Sequence, residues 1–90
     1  MIIYKCLNII NDKVYVGKTT KSLEYRKIRH LCSLEDGTYF HRAINKYGKD
    51  NFIWEIVEEC QTEEQLSERE MYWIKELKSY VPSIGYNCTM

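Results

Sequence analysis

No stretch of 18 apolar residues occurs in this 90-residue chain, so nothing in it spans a bilayer as a helix, and no membrane partner is expected. No CxxC pair occurs either. Cys6, Cys32, Cys60 and Cys88 stand 26, 28 and 28 positions apart, which gives a structural zinc site little support. Lys5 interrupts the first apolar run and no cleavage-like stretch follows, so a secretory leader is not expected. The four cysteines then read as reduced thiols of a cytoplasmic, reducing compartment rather than as two disulfides. There is one proline, four glycines, no internal repeat and no low-complexity segment. Net charge is also missing, with 13 Lys or Arg against 13 Asp or Glu. That balance argues against tight, non-specific binding of a polyanion by the whole surface.

What is present is ordinary for a globular domain: 44% hydrophobic residues, with eight tyrosines among the aromatics. Ninety residues make a single domain, 1–90, that buries roughly 60–65% of its unfolded surface. The zero net charge hides a strong asymmetry. Residues 1–49 carry ten Lys or Arg against four Asp or Glu, a net of +6; residues 50–90 carry three against nine, a net of −6. The basic half can track a phosphate backbone, or the halves can simply pair across the fold.

The pattern predicts the element order ββααβα. Ile2–Ile9 is β-branched or aromatic at most positions and reads as a strand; Asn11-Asp12 is turn chemistry; Lys13–Gly17 reads as the returning strand of a hairpin. Ser22 is the expected N-cap of a helix from Leu23 to Glu35 that stops near Gly37. A second short helix, Tyr39–Tyr47, puts Phe40, Ala43, Ile44 and Tyr47 on one side, and Gly48 ends it. Phe52–Glu59 is a third strand, with Phe52, Trp54 and Ile56 facing one way and Ile53 and Val57 the other. Thr62-Glu63-Glu64-Gln65 is a capping box opening a helix to Tyr80, and Tyr86-Asn87-Cys88 is a tail. Three strands and three helices make an α+β fold, a small three-stranded antiparallel sheet flanked by helices.

Four features carry possible chemistry. On the last helix, at about 100° per residue, Glu70 falls about 40° from Leu66 and so sits inside the arc of Leu66, Trp73, Leu77 and Ile74. A carboxylate there must meet a cation, a metal, a donor network or an edge of solvent, because an unpaired buried ion costs several kcal/mol. Tyr4 and Tyr15 lie on the two hairpin strands and can face each other if the register allows; core packing is the plainer reading. Gly17, just after the second tyrosine, admits close backbone approach by a ligand or merely ends a strand. Arg26 and His30 stand four apart on the first helix, a fork for phosphate beside a proton carrier, or simply an exposed basic face.

Taken together these residues resemble the GIY-YIG nuclease family. Ile2-Ile3-Tyr4 and Tyr15-Val16-Gly17 stand for its two named motifs, followed by Arg26, His30, Glu70 and Asn87. The block from Glu68 to Leu77, the Asn45-Lys46-Tyr47-Gly48 turn and the ending Gly85-Tyr86-Asn87 look like its phage and intron-homing branch. One departure stands out: Ile2 replaces the glycine of the first motif. The resemblance implies a divalent-metal-dependent DNA endonuclease, with Glu70 holding one Mg²⁺ or Mn²⁺ and Arg26 on the phosphate. Tyr4 or Tyr15 would be the base, His30 would bind phosphate or support the tyrosine, and Asn87 would position the glutamate or the substrate. DNA contacts are expected at Gly17, Lys18, Lys21, Lys27, Arg29 and Arg42. A phenol with an ordinary pKa of about 10 needs Lys18, Arg26 or the metal to lower it before it can serve as a base. The rival reading is the same fold without catalysis, a module that binds DNA or a protein partner.

Overall fold

The structure, a computed structural model, describes residues 1–32 and 37–87. The elements are β1 (Ile2–Asn8), β2 (Val14–Thr19), α1 (Leu23–Cys32), α2 (Tyr39–Tyr47), a 3₁₀ turn (Lys49–Asn51), β3 (Phe52–Glu59) and α3 (Glu63–Glu76). β1 lies between the other two strands, antiparallel to both, in the order β2-β1-β3. The ββααβα order and the α+β sheet expected from the sequence are therefore present. No helix among the described residues is long and apolar enough to cross a membrane.

The hairpin closes on side chains that bond their own backbone. Asn8 Oδ1 accepts from the Ile10 amide and Asn11 Oδ1 from the Lys13 amide, each at 3.0 Å. Asp12 takes the left-handed conformation, φ 62°, which short polar side chains tolerate. Ser22 accepts from the Tyr25 amide at 3.1 Å and caps α1. Cys32 is the last described residue of α1, and the expected continuation to Glu35 falls outside the described residues. Thr62 caps α3 by accepting from the Gln65 amide, but Gln65 returns its bond to the amide of Gln61 rather than of Thr62.

α3 ends at Glu76, not at Tyr80. The Ser79 amide reaches back to the Ile74 carbonyl and the Lys78 amide to that of Lys75, while Lys78 adopts φ 55°. This is the Schellman pattern, closed by a lysine where glycine is usual, so the stop carries no glycine signal. The segment beyond is not a tail. Gly85 makes a parallel bridge to Val14 at the outer edge of β2, the Tyr86 amide bonds the Val14 carbonyl, and Tyr86 itself is buried. A Cβ on Gly85 would overlap Ser79 and the Val14 carbonyl, which fixes glycine there.

The sheet has two different faces. One packs Ile3, Val16 and Cys60 against Leu66 and Ile74 of α3. The other packs Cys6 and Phe52 with Phe40, Ala43 and Ile44 of α2 and with Tyr86. β3 does not alternate strictly. Between Ile3 and Tyr4 the register slips by one, leaving Val57 as the extra residue of a bulge. The bulge sends both Val57 and Glu58 toward α3, where Glu58 accepts from Arg69 Nε at 2.7 Å and from Trp73 Nε1 at 2.9 Å. Ile53 and Ile56, expected on the strand's two packed faces, are about half exposed.

Candidate active site

The antiparallel register sets Tyr4 opposite Gly17 and Tyr15 opposite Cys6, all on the face covered by α1 and α2. The two tyrosine rings lie 6.3 Å apart, centre to centre. Gly17 is buried, and a Cβ on it would overlap the phenol of Tyr4. The glycine therefore makes room for Tyr4.

α1 crosses this face and drops two side chains onto Tyr4. Arg26 Nε donates to the Tyr4 hydroxyl at 3.3 Å, and the hydroxyl lies 2.7 Å from His30 Nε2. His30 Nδ1 in turn lies 2.8 Å from His41 Nε2 of α2. Arginine only donates. The Tyr4 hydroxyl therefore accepts from Arg26 and is placed to donate to His30 Nε2, which would leave His30 Nδ1 to donate to His41 Nε2. Around it, Tyr15 stacks on Phe40 with ring centres 4.1 Å apart, and His30 meets Tyr15 edge-on. This aromatic packing buries both histidines.

Burial is the main influence on the phenols. It pushes Tyr4 far above the ordinary phenol value; Tyr15 adds to the rise, and Arg26 opposes it. Tyr15 is also raised by burial, against Arg26, but it keeps partial exposure whereas Tyr4 has none. Burial weakens the hold of Arg26 on its proton, yet the bond to Tyr4 and the charges of Tyr4, Tyr15 and Glu70 more than restore it.

Glu70 belongs to α3 but shares this electrostatic neighbourhood. It is half-buried and makes no hydrogen bond or ion pair among the described residues. Burial raises its pKa, while Lys18 and Arg26 pull it back. This is a carboxylate held out of water near cations that do not pair with it directly.

The remaining expected residues divide. Lys18, Lys21, Arg26 and Arg29 line one groove of about 510 Å³ between β2, α1 and α3. Lys27 is half-buried and does not line it; its charge acts on the buried Cys6 thiol instead. Arg42 lies in a separate groove. Asn87 bonds the backbone of β2. Its side chain donates to the Val16 carbonyl at 2.9 Å and accepts from the Val16 amide at 2.8 Å, so it tethers β2. Sequence reasoning missed His41. Its one signal is scarcity, since the chain has two histidines and one already stands in the candidate set. It also missed Asn8, fully buried, whose amide donates to the Tyr86 hydroxyl at 3.0 Å.

Ile2 departs from the first motif without consequence for the ladder: it is buried and pairs regularly with Thr19 and Glu59. The rest of this arrangement, two tyrosines across a hairpin under an arginine and a histidine, with the half-buried Glu70 on the last helix, defines a nuclease class. The family model of the GIY-YIG catalytic domain matches residues 1–87, and the chain belongs to the GIY-YIG family. It is 43% identical over 90 residues to intron-associated endonuclease 1 of Enterobacteria phage T4. That match takes in 94% of this chain and 35% of the relative, so the chain spans about a third of its length. Among solved structures, the catalytic domain of the homing endonuclease I-TevI matches with a TM-score of 0.77 at 39% identity, covering 93% of this chain and 92% of that one. A single-residue mutant of the same domain matches with a TM-score of 0.83 at 38% identity, covering 96% and 90%. The fold is that of the GIY-YIG nuclease catalytic domain.

Proposed function

We propose that this domain is a divalent-metal-dependent DNA endonuclease that hydrolyses phosphodiester bonds, either alone or as the catalytic part of a homing-type nuclease. The observation that carries the reading is Glu70: a half-buried carboxylate with no direct partner among the described residues, beside the Arg26–Tyr4–His30–His41 chain.

A magnesium or manganese ion fits this donor set. No cluster of three or more His, Cys, Asp or Glu stands together among the described residues, which disfavours an all-protein cage. Mg²⁺ instead keeps several waters and binds through one or two carboxylates, as Glu70 could provide. Bound there, the ion would act as a Lewis acid at the phosphate and offset charge on the leaving oxygen.

The protein's own groups divide the remaining work. Arg26, permanently charged and held by Tyr4, faces the scissile phosphate and offsets charge that develops on it. Tyr15, the one of the two tyrosines that is partly exposed, takes the proton of the attacking water, and because burial outweighs Arg26 and keeps its phenol raised, it does so only toward alkaline pH. Its neighbour Tyr4 fixes Arg26, and the two histidines fix Tyr4. Lys18, Lys21 and Arg29 hold the DNA backbone along the first groove.

Conversion of supercoiled plasmid to nicked or linear form tests this reading. Cleavage with Mg²⁺ or Mn²⁺ and none with EDTA is expected. An idle binding module gives no product under any metal and has no reason to bind Mn²⁺ at Glu70.

A further inference from the structure

The second groove, about 390 Å³, lies between the hairpin turn and α2 and is lined by three cations, Lys13, Arg42 and Lys46, with no carboxylate. Two of the cations are set against aromatic rings. Lys13 Nζ donates to the Tyr39 hydroxyl, which donates on to the Pro82 carbonyl, and Lys46 Nζ lies 5.2 Å from the centre of the Tyr47 ring. Arg42 is exposed and makes no ion pair among the described residues. Such a surface offers fixed positive charge beside flat faces.

Its position matters more than its charge. A small cleft of about 250 Å³ is lined by Tyr15, Arg26, His30 and His41, and also by Tyr39 and Tyr86. Arg26 belongs to the first groove as well, and Tyr39 and Tyr86 belong to the second. Each groove therefore borders the cleft through a shared side chain, Arg26 on one side and Tyr39 and Tyr86 on the other. Two basic grooves flank a cleft lined by Tyr15, Arg26 and His30 of the candidate set.

We propose that the Lys13–Arg42–Lys46 groove is a second phosphate-backbone contact, so that one DNA strand passes from the first groove over the catalytic cleft and onto α2. This rests on the endonuclease reading for its choice of DNA, and on charge complementarity for its choice of backbone. The grooved face spreads cations on both sides of the cleft, which would seat the reacting phosphate by its neighbours rather than by base contacts.

The test is DNA binding in EDTA, where no cleavage occurs, with a 30-base-pair duplex titrated across 50–200 mM salt. Each phosphate contact contributes about −0.9 to the log–log salt slope. Arg42→Gln/Lys46→Gln should flatten the slope by about two and weaken binding most at low salt. Adding Lys13→Gln should flatten it further. Lys75→Gln/Lys78→Gln removes the same charge from the end of α3 and should leave the slope unchanged. Circular dichroism melting shows whether each variant is folded, and Arg42 and Lys46 are exposed enough that the double variant should be. The proposal is overturned if the parent does not bind DNA, if the groove variant keeps the parental slope (which would leave the groove to an acidic protein segment), or if the α3 control flattens equally. A parent that binds with the expected slopes yet cuts no plasmid would end the nuclease reading and leave this contact standing.

Discussion

The two faces of the sheet are made from the same three strands and differ in kind. Beneath α3 the buried contacts are mainly aliphatic, Ile3, Val16, Leu66 and Ile74, with Trp73, Glu58 and Arg69 only partly buried beside them. Beneath α1 and α2 they are aromatic and polar: Tyr4, Tyr15, His30, His41, Phe40 and Asn8. The first face buries area without direction and secures the fold. The second demands satisfied hydrogen bonds, so it is orderly and costly to disturb. The proposed chemistry belongs to the second, with one exception: Glu70 is supplied by the aliphatic side's own helix.

That exception gives the largest expected effect. Glu70→Gln should reduce cleavage by about 10³-fold or more, as loss of several kcal/mol of metal-derived stabilisation requires. The fold should be no weaker. Because burial raises the folded-state pKa of Glu70, the folded protein binds its proton more readily than the unfolded chain. Stability therefore falls as pH rises from the ordinary carboxylate value to the raised one, and the glutamine removes that penalty at neutral pH. Melting temperature at pH 7 should hold or rise. A variant that cleaves normally would show that the aliphatic helix contributes nothing to chemistry.

Next in size, Arg26→Ala should slow single-turnover cleavage by about 10²–10³-fold, in line with loss of one preorganised donor. Arg29→Ala, one turn along and exposed in the same groove, should mainly weaken binding. Equal behaviour of the two would make α1 a docking face only. The smallest effect on rate belongs to the aliphatic face. Ile74→Ala should cost about 2–5 kcal/mol of stability, read by denaturant unfolding, with no change in rate per folded molecule. A rate loss beyond the unfolded fraction would mean the two faces are coupled.

Much of this was legible beforehand, for identifiable reasons. Residue type, turn chemistry and helical spacing point to the three strands and three helices, though not to the 3₁₀ turn Lys49–Asn51. Glu70 stood out as a carboxylate in an apolar arc. What stayed hidden depends on contacts distant in sequence. The bulge at Val57 follows from pairing with β1, which no local pattern encodes. Lys78 ends α3 through backbone geometry that its side chain does not advertise. The partner of Asn87 is the Val16 backbone, 71 positions away. Gly17 looked like an open approach, but Tyr4 fills it. His41 joins the network only once α2 has folded over α1.

The division of labour between the two phenols is the central claim, and single-turnover pH–rate profiles with saturating Mg²⁺ test it most directly. The parent rate should rise toward alkaline pH without levelling below the ordinary phenol value of about 10, since burial raises Tyr15. Tyr15→Phe should cut the rate at least about 10²-fold and abolish that alkaline limb. Tyr4→Phe should cost less and keep the limb, because Tyr4 acts by holding Arg26. A Tyr15→Phe enzyme that retains the limb, with Tyr4→Phe losing it, would contradict the account.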